Sequence, residues 1–209
     1  MLDDVANSDN QRLLIKFPNH IQVDIKREDL LHAQISGNKF RKLKYNLREA
    51  QQLNQRTLLT FGGAYSNHIA AVATAGHAFG FNTIGIIRGE ELADKIDHNH
   101  TLTQALQHGM QLHFISRADY RRKTEPAFIA ALQAQFGHFY LIPEGGSNQL
   151  AVQGCTEILT PQDKQQFDYL CCAVGTGGTL AGIIEASAPT QTVLGFAALK
   201  GDFLQAEIQ

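Results

Sequence analysis

Tryptophan is absent from this chain, cysteine occurs three times, and no apolar run approaches the ~20 residues that a membrane-spanning helix needs. The first residues, Met1, Leu2, Asp3 and Asp4, lack the positive start and apolar stretch of a secretory leader, so a cytoplasmic location is expected. Cys171 and Cys172 are adjacent within an apolar run and should point to opposite faces of a strand, with Cys155 well separated from them. That spacing builds neither a disulfide framework nor a zinc site, and the three read as small buried hydrophobes. Charge of one sign is also missing. The formal net charge is -2 and lysines and arginines are scattered, which leaves no electrostatic footprint for nucleic acid or an anionic membrane and favours a small-molecule partner.

What the chain has is enough apolar content, 44% of 209 residues, to bury a core. Short β-rich runs at Thr57–Phe61, Asn82–Ile87, Gln111–Ser116, His138–Ile142, Phe167–Val174 and Thr192–Phe196 alternate with helix-length segments. The helices are expected at Asn38–Leu53, Ser66–Phe79, His98–His108, Ala118–Phe136, Asn148–Leu159 and Thr179–Ala186. This alternation is the mark of an α/β fold with parallel sheet covered by helices. Glycines concentrate at Gly62-Gly63, Gly145-Gly146 and Gly175 to Gly178, each just after an expected strand, where open α/β sheets place their ligand loops.

Three segments carry candidate chemistry. Gly175-Thr176-Gly177-Gly178-Thr179 follows an apolar strand and opens a helix, so backbone N–H groups, the helix N-terminus and two hydroxyls converge as they would on a phosphate. The run lacks the lysine of a P-loop and does not fit the dinucleotide fingerprint. Asn38-Lys39-Phe40-Arg41-Lys42, after Ser36-Gly37, places Lys39 and Lys42 on one helix face. Two neighbouring ammonium groups depress each other's pKa, and a neutral amine is what imine chemistry needs, although such a face is ordinarily solvated surface. Gly62-Gly63-Ala64-Tyr65-Ser66-Asn67-His68 offers an N-cap serine and hydrogen-bonding groups for a carboxylate or a phenolate-like oxygen. Asp97, His98 and His100 lack the spacing of a metal site, and Arg117, Arg121, Arg122 and Lys123 read as solvated surface.

Taken with Pro143-Glu144-Gly145-Gly146-Ser147-Asn148, these runs occur in the order and spacing of the aminocyclopropane-carboxylate deaminase and D-cysteine desulfhydrase family, which the chain resembles from about Asp24 to Asp202. The resemblance implies a tryptophan-synthase-β-like, fold type II enzyme with pyridoxal 5'-phosphate as cofactor. Lys39 would be its Schiff-base lysine and would remove the substrate α-proton. Lys42 with Gly175, Thr176, Gly177, Gly178 and Thr179 would hold the cofactor phosphate, and Asn67 would meet the ring hydroxyl. Ser66, Asn67 and His68 would face the substrate, with Tyr65 beside them where the family commonly has glutamine; Ser66 would be catalytic, taking part in ring opening of a cyclopropane substrate, and Gly145 to Asn148 would line the cleft between lobes. His68 resembles the desulfhydrase pattern more than the deaminase pattern.

The expectation is thus a two-lobed α/β enzyme, apparently lacking the family's C-terminal third. Residues 44–144 would form a small lobe, and residues 1–43 with 145–209 a large cofactor-binding lobe. It would carry out deamination or β-elimination on a small amino acid, with D-cysteine giving pyruvate, ammonia and sulfide, and by resemblance it would be a homodimer. The alternatives are a non-catalytic pyridoxal-phosphate or phosphate-ligand binding protein derived from such an enzyme, or a nucleotide-binding domain.

Overall fold

The computed structural model describes residues 2, 8–35 and 37–198. Ser36, the end of the family resemblance at Asp202 and the last part of the expected large lobe therefore lie outside the described residues. In chain order the strands and α-helices are β1 (Asn10–Arg12), β2 (Asp24–Lys26), α1 (Asn38–Gln52), β3 (Thr57–Gly63), α2 (Asn67–Phe79), β4 (Asn82–Arg88), α3 (His100–Gln107) and β5 (Met110–Ile115). They continue as α4 (Arg117–Tyr120), α5 (Pro126–Phe136), β6 (Tyr140–Ile142), α6 (Gln149–Thr156), α7 (Pro161–Gln166), β7 (Tyr169–Val174), α8 (Gly178–Ala186) and β8 (Thr192–Ala197).

Strands β3 to β6 form a four-stranded parallel sheet in the order β5-β4-β3-β6. Alternation along each strand feeds two cores, as a sheet covered on both faces requires. On one face Leu58 and Ile87 join Leu43, Leu47, Ile69, Val72 and Leu102 from α1, α2 and α3. On the other Leu59, Phe61, Ile84 and Ile86 join Tyr120 and Leu132 from α4 and α5. A separate parallel pair, β7 and β8, packs one face against α6 and α8 through Cys155, Ile158, Ile183 and Leu180. Among the described residues nothing buries its other face, where Tyr169, Leu194 and Phe196 are exposed. Strands β1 and β2 make a small antiparallel pair.

Helix α1 ties these parts together. Its apolar side enters the first core while it packs on α6, where the contact is backbone against backbone: a Cβ added at Gly154 would sit 2.0 Å from the Arg41 carbonyl oxygen. The lobe boundary expected at Lys44 falls in the middle of this continuous helix. The segment Ala118–Phe136 is not one helix. Glu125 precedes Pro126 and takes an extended conformation, φ -73° and ψ 128°, so the chain turns after α4 and restarts with the proline in the first turn of α5. Helix α7 was not anticipated, although Thr160 and Asp163 form a reciprocal cap around Pro161. Among the described residues no helix is long and apolar enough to cross a membrane.

Candidate active site

The site lies at the C-terminal ends of β3, β6 and β7, where the helices that follow present their N-termini. A cavity of about 450 Å³ is lined by Asn38, Lys39, Lys42, Ser66, Asn67, His68, Glu144, Gly145 and the run from Ala173 to Gly177 with Thr179 and Leu180. Four stretches that are far apart in sequence thus meet around one space.

Helix α1 begins at Asn38, whose side-chain amide donates to Thr179 Oγ1 at 2.8 Å and so pins the start of α1 to the start of α8. One turn in, Lys39 and Lys42 point to the same carbonyl: Gly145 O accepts from Lys39 Nζ at 3.0 Å and from Lys42 Nζ at 3.2 Å. Lys42 also donates to Ser147 Oγ at 2.9 Å and Thr176 Oγ1 at 3.3 Å, and its side chain is buried. Arg41 turns the other way, to a two-pronged pair with Glu28, which keeps its guanidinium off the lysine face.

The Lys39 amine is lowered from 10.5 to about 7, first by burial and then by the charge of Lys42. The mutual depression expected from sequence is therefore real for Lys39, but burial is the larger cause, and it is burial that lowers Lys42. Cys155 beneath them is pushed up to about 11 by burial and stays a neutral thiol.

The carbonyl that serves both lysines depends on backbone geometry. Gly145 has φ +67°, and a Cβ there would sit 2.8 Å from the Thr176 side chain, so only glycine lets the turn Glu144–Gly146 close against the β7 loop. Ser66 caps α2, its Oγ accepting from the backbone N–H of His68 at 3.2 Å and Ile69 at 3.4 Å. His68 is buried, and its Nε2 meets Thr60 Oγ1 at 2.8 Å. The Thr60 proton goes to the Ile142 carbonyl, so Nε2–H donates. Burial, followed by Lys39 and Lys42, holds His68 well below its ordinary value, so the ring is neutral. Its Nδ1 is buried and makes no hydrogen bond among the described residues.

Of the residues singled out from sequence, Lys39, Lys42, Ser66, Asn67, His68, Gly175, Thr176, Gly177 and Thr179 are all in the wall of the cavity. Gly178 lies just behind it, where a Cβ would be 3.1 Å from Lys42 Nζ. Tyr65 is not in the lining, and its side chain is exposed. Of the run from Gly145 to Asn148 expected to line the cleft, Gly145 is in the lining and Ser147 holds Lys42. Sequence reasoning gave no role to Asn38, which lay in plain view within its motif, or to Glu144, because a glutamate after proline in a loop looks like solvated surface.

Every acceptor bonded to the two ammonium groups is a neutral oxygen. Buried cations without a counter-charge are costly, and the glycine loop adds N–H groups at the α8 N-terminus, so the residues present fit an anionic group such as a phosphate monoester. A partly neutral amine beside it fits a carbonyl partner. Fold and site together are those of the α/β proteins that hold a phosphorylated ligand in a lysine-bearing cleft at the C-terminal ends of parallel strands.

Comparison with known proteins gives the family. The family model for pyridoxal-phosphate dependent enzymes matches residues 14–198. The bifunctional D-cysteine desulfhydrase/1-aminocyclopropane-1-carboxylate deaminase of Arabidopsis thaliana, a mitochondrial protein, is 34% identical over 181 residues, 79% of this chain and 45% of that protein. A putative 1-aminocyclopropane-1-carboxylate deaminase of Thermotoga maritima is 36% identical over 179 residues, 83% of this chain and 55% of that one. In structure the chain is similar to an ACC deaminase homologue, with a TM-score of 0.75 and 27% identity, covering 97% of this chain and 64% of the homologue. The chain belongs to the pyridoxal-phosphate dependent enzymes, whose cofactor is pyridoxal phosphate. It spans about half the length of the curated relatives it matches.

Proposed function

We propose that this chain provides the cofactor-anchoring part of an enzyme that deaminates a small amino acid or eliminates its β-substituent, as the names of its relatives suggest. Its substrate in this reading is D-cysteine, giving pyruvate, ammonia and sulfide, or aminocyclopropane carboxylate. The observation that carries the reading is the Lys39 amine, lowered to about 7 beside Lys42 and the glycine loop.

In this reading Lys39 Nζ is the covalent anchor. Lys42, Thr176, Thr179 and the N–H groups from Gly175 to Gly178 hold the phosphate, and Asn67 meets the ring hydroxyl. When bound, pyridoxal phosphate supplies an aldehyde for the lysine and a sink for negative charge developing at the substrate α-carbon. Once the substrate amine has displaced it from the cofactor, the freed Lys39 amine would take the α-proton, with the Gly145 carbonyl, 3.0 Å from Lys39 Nζ, placed to orient it. Ser66 and Asn67 at the α2 N-terminus bind the substrate carboxylate, with the neutral His68 ring behind them and Tyr65 beside Ser66 in the chain. The division into lobes at residues 44 and 145, a homodimeric assembly and a cytoplasmic location belong to the same reading.

The deciding experiment is borohydride reduction of cofactor-treated protein, followed by peptide mapping. A pyridoxyl-phosphate increment on the Lys39 peptide, lost in Lys39→Ala and kept in Ser66→Ala with turnover abolished, is the expected result. A folded protein that takes no increment, or a Lys39→Ala protein that still takes one, overturns the assignment.

A further inference from the structure

We infer that Glu144 reads the side chain of the substrate, favouring small amino acids whose side chain ends in a hydrogen-bond donor or a cation and rejecting those that end in a carboxylate. This rests on the small-amino-acid reading above.

The cavity wall is otherwise built for anions, with Lys39, Lys42, Asn67 and the glycine loop all donors, and Glu144 is the one carboxylate among the described lining residues. A phosphate or an α-carboxylate has no use for it and is repelled by it, so its complement is a different part of the ligand. It is also close to the chemistry: the next residue's carbonyl holds Lys39 Nζ at 3.0 Å.

The carboxylate is fixed before any ligand arrives. Tyr120 donates from its hydroxyl to Glu144 Oε1 at 2.7 Å, and Lys123 Nζ lies 3.3 Å from Oε2. Tyr120 is buried and packs edge-on against Phe61 with ring centroids 6.0 Å apart, so the donor itself does not move. Burial and Glu144 raise the Tyr120 phenol far above its usual value, so the tyrosine stays a neutral donor and does not discharge its partner. Lys123 and Glu144 are both partly exposed, so their ion pair is screened by solvent and offsets the charge only in part. Each carboxylate oxygen keeps a lone pair for a donor from the ligand.

The test uses cofactor-loaded protein and three amino acids that differ in the group on Cβ, diaminopropionate, serine and aspartate, each titrated by the change in cofactor absorbance. Wild type should bind diaminopropionate more tightly than aspartate by about tenfold or more, the scale on which one pocket contact discriminates. In Glu144→Gln that ratio should fall to near parity with serine affinity kept. In Lys123→Ala it should rise by about threefold, because the carboxylate loses its competing cation. An unchanged ratio in a folded Glu144→Gln protein overturns the inference, and if that variant does not fold, absence of the rise in Lys123→Ala overturns it. Serine binding without any side-chain preference in wild type sinks the role of Glu144 alone. Failure of all three to bind to loaded protein sinks the amino-acid reading with it.

Discussion

The two parallel sheets of this molecule are finished to different degrees. In the four-stranded sheet Leu58, Leu59, Phe61, Ile86 and Ile87 are essentially inaccessible, and helices cover both faces. In the β7–β8 pair the inward residues Leu170, Cys172, Val174 and Val193 meet α6 and α8, while Tyr169 and Phe196 are 64% and 60% exposed on the other side. Parallel strands are ordinarily buried on both faces, and among the described residues the first sheet holds its own core and the second holds half of one. The site nevertheless needs both, because Ser66, Asn67, His68 and Glu144 hang from the first sheet and the glycine loop hangs from the second.

The contrast makes graded predictions. The largest loss of stability is expected where the two parts touch: Gly154→Ala forces a methyl against the Arg41 carbonyl, and neither backbone can give way, so urea unfolding should show a loss of about 3 kcal/mol or more. Ile86→Ala, in the doubly covered sheet, should cost about 2–5 kcal/mol through lost burial and the cavity left behind. Removing the Ser66 cap in Ser66→Ala should cost about 1 kcal/mol by the same measurement. Leu194→Ala, on the exposed face, should cost less than about 1 kcal/mol, and a loss equal to that of Ile86→Ala would erase the distinction between the sheets.

A further prediction concerns protons. Lys39 is lowered in the folded protein to about 7 from 10.5, so the unfolded chain binds the extra proton between those values. The contribution of this group to stability therefore rises as pH increases from about 7 towards 10.5 and is flat below 7. Amine-selective labelling of cofactor-free protein should titrate Lys39 with a midpoint of about 7, and Lys42→Met should move that midpoint upward without restoring 10.5, because burial is the larger cause. A Lys39 midpoint near that of an exposed lysine would contradict the buried geometry.

Much of this was legible in the sequence. The strands from Thr57, Asn82 and Thr192 begin at the expected residue, and the helix from Asn38 starts where the motif places it. Local periodicity sets such elements, and four ordered motifs identified the cavity wall. Other features were not legible, for physical reasons. Tyr120 and Lys123 read as part of one long surface helix until Pro126 is allowed to break it, and only the resulting turn carries them to Glu144. The β1–β2 pair escaped because its burial pattern is exposed or intermediate throughout, leaving no alternation to detect. Thr176 was expected at the phosphate, but its joint hold on Lys42 with Ser147 depends on a tertiary contact across 29 positions that no local pattern shows.

Helix α1 carries a mechanical consequence. Its 15 residues run without interruption from the cavity at Asn38 into the packing of both parts, and an α-helix has no joint of its own. Any widening or narrowing of the cleft must turn this rod as a whole, so Lys39 and Lys42, one turn apart on the same rod, travel together. The spacing between the reacting amine and the neighbouring cation is then set by helix pitch rather than by the state of the cleft, and strain from opening falls on the glycine turns that face them.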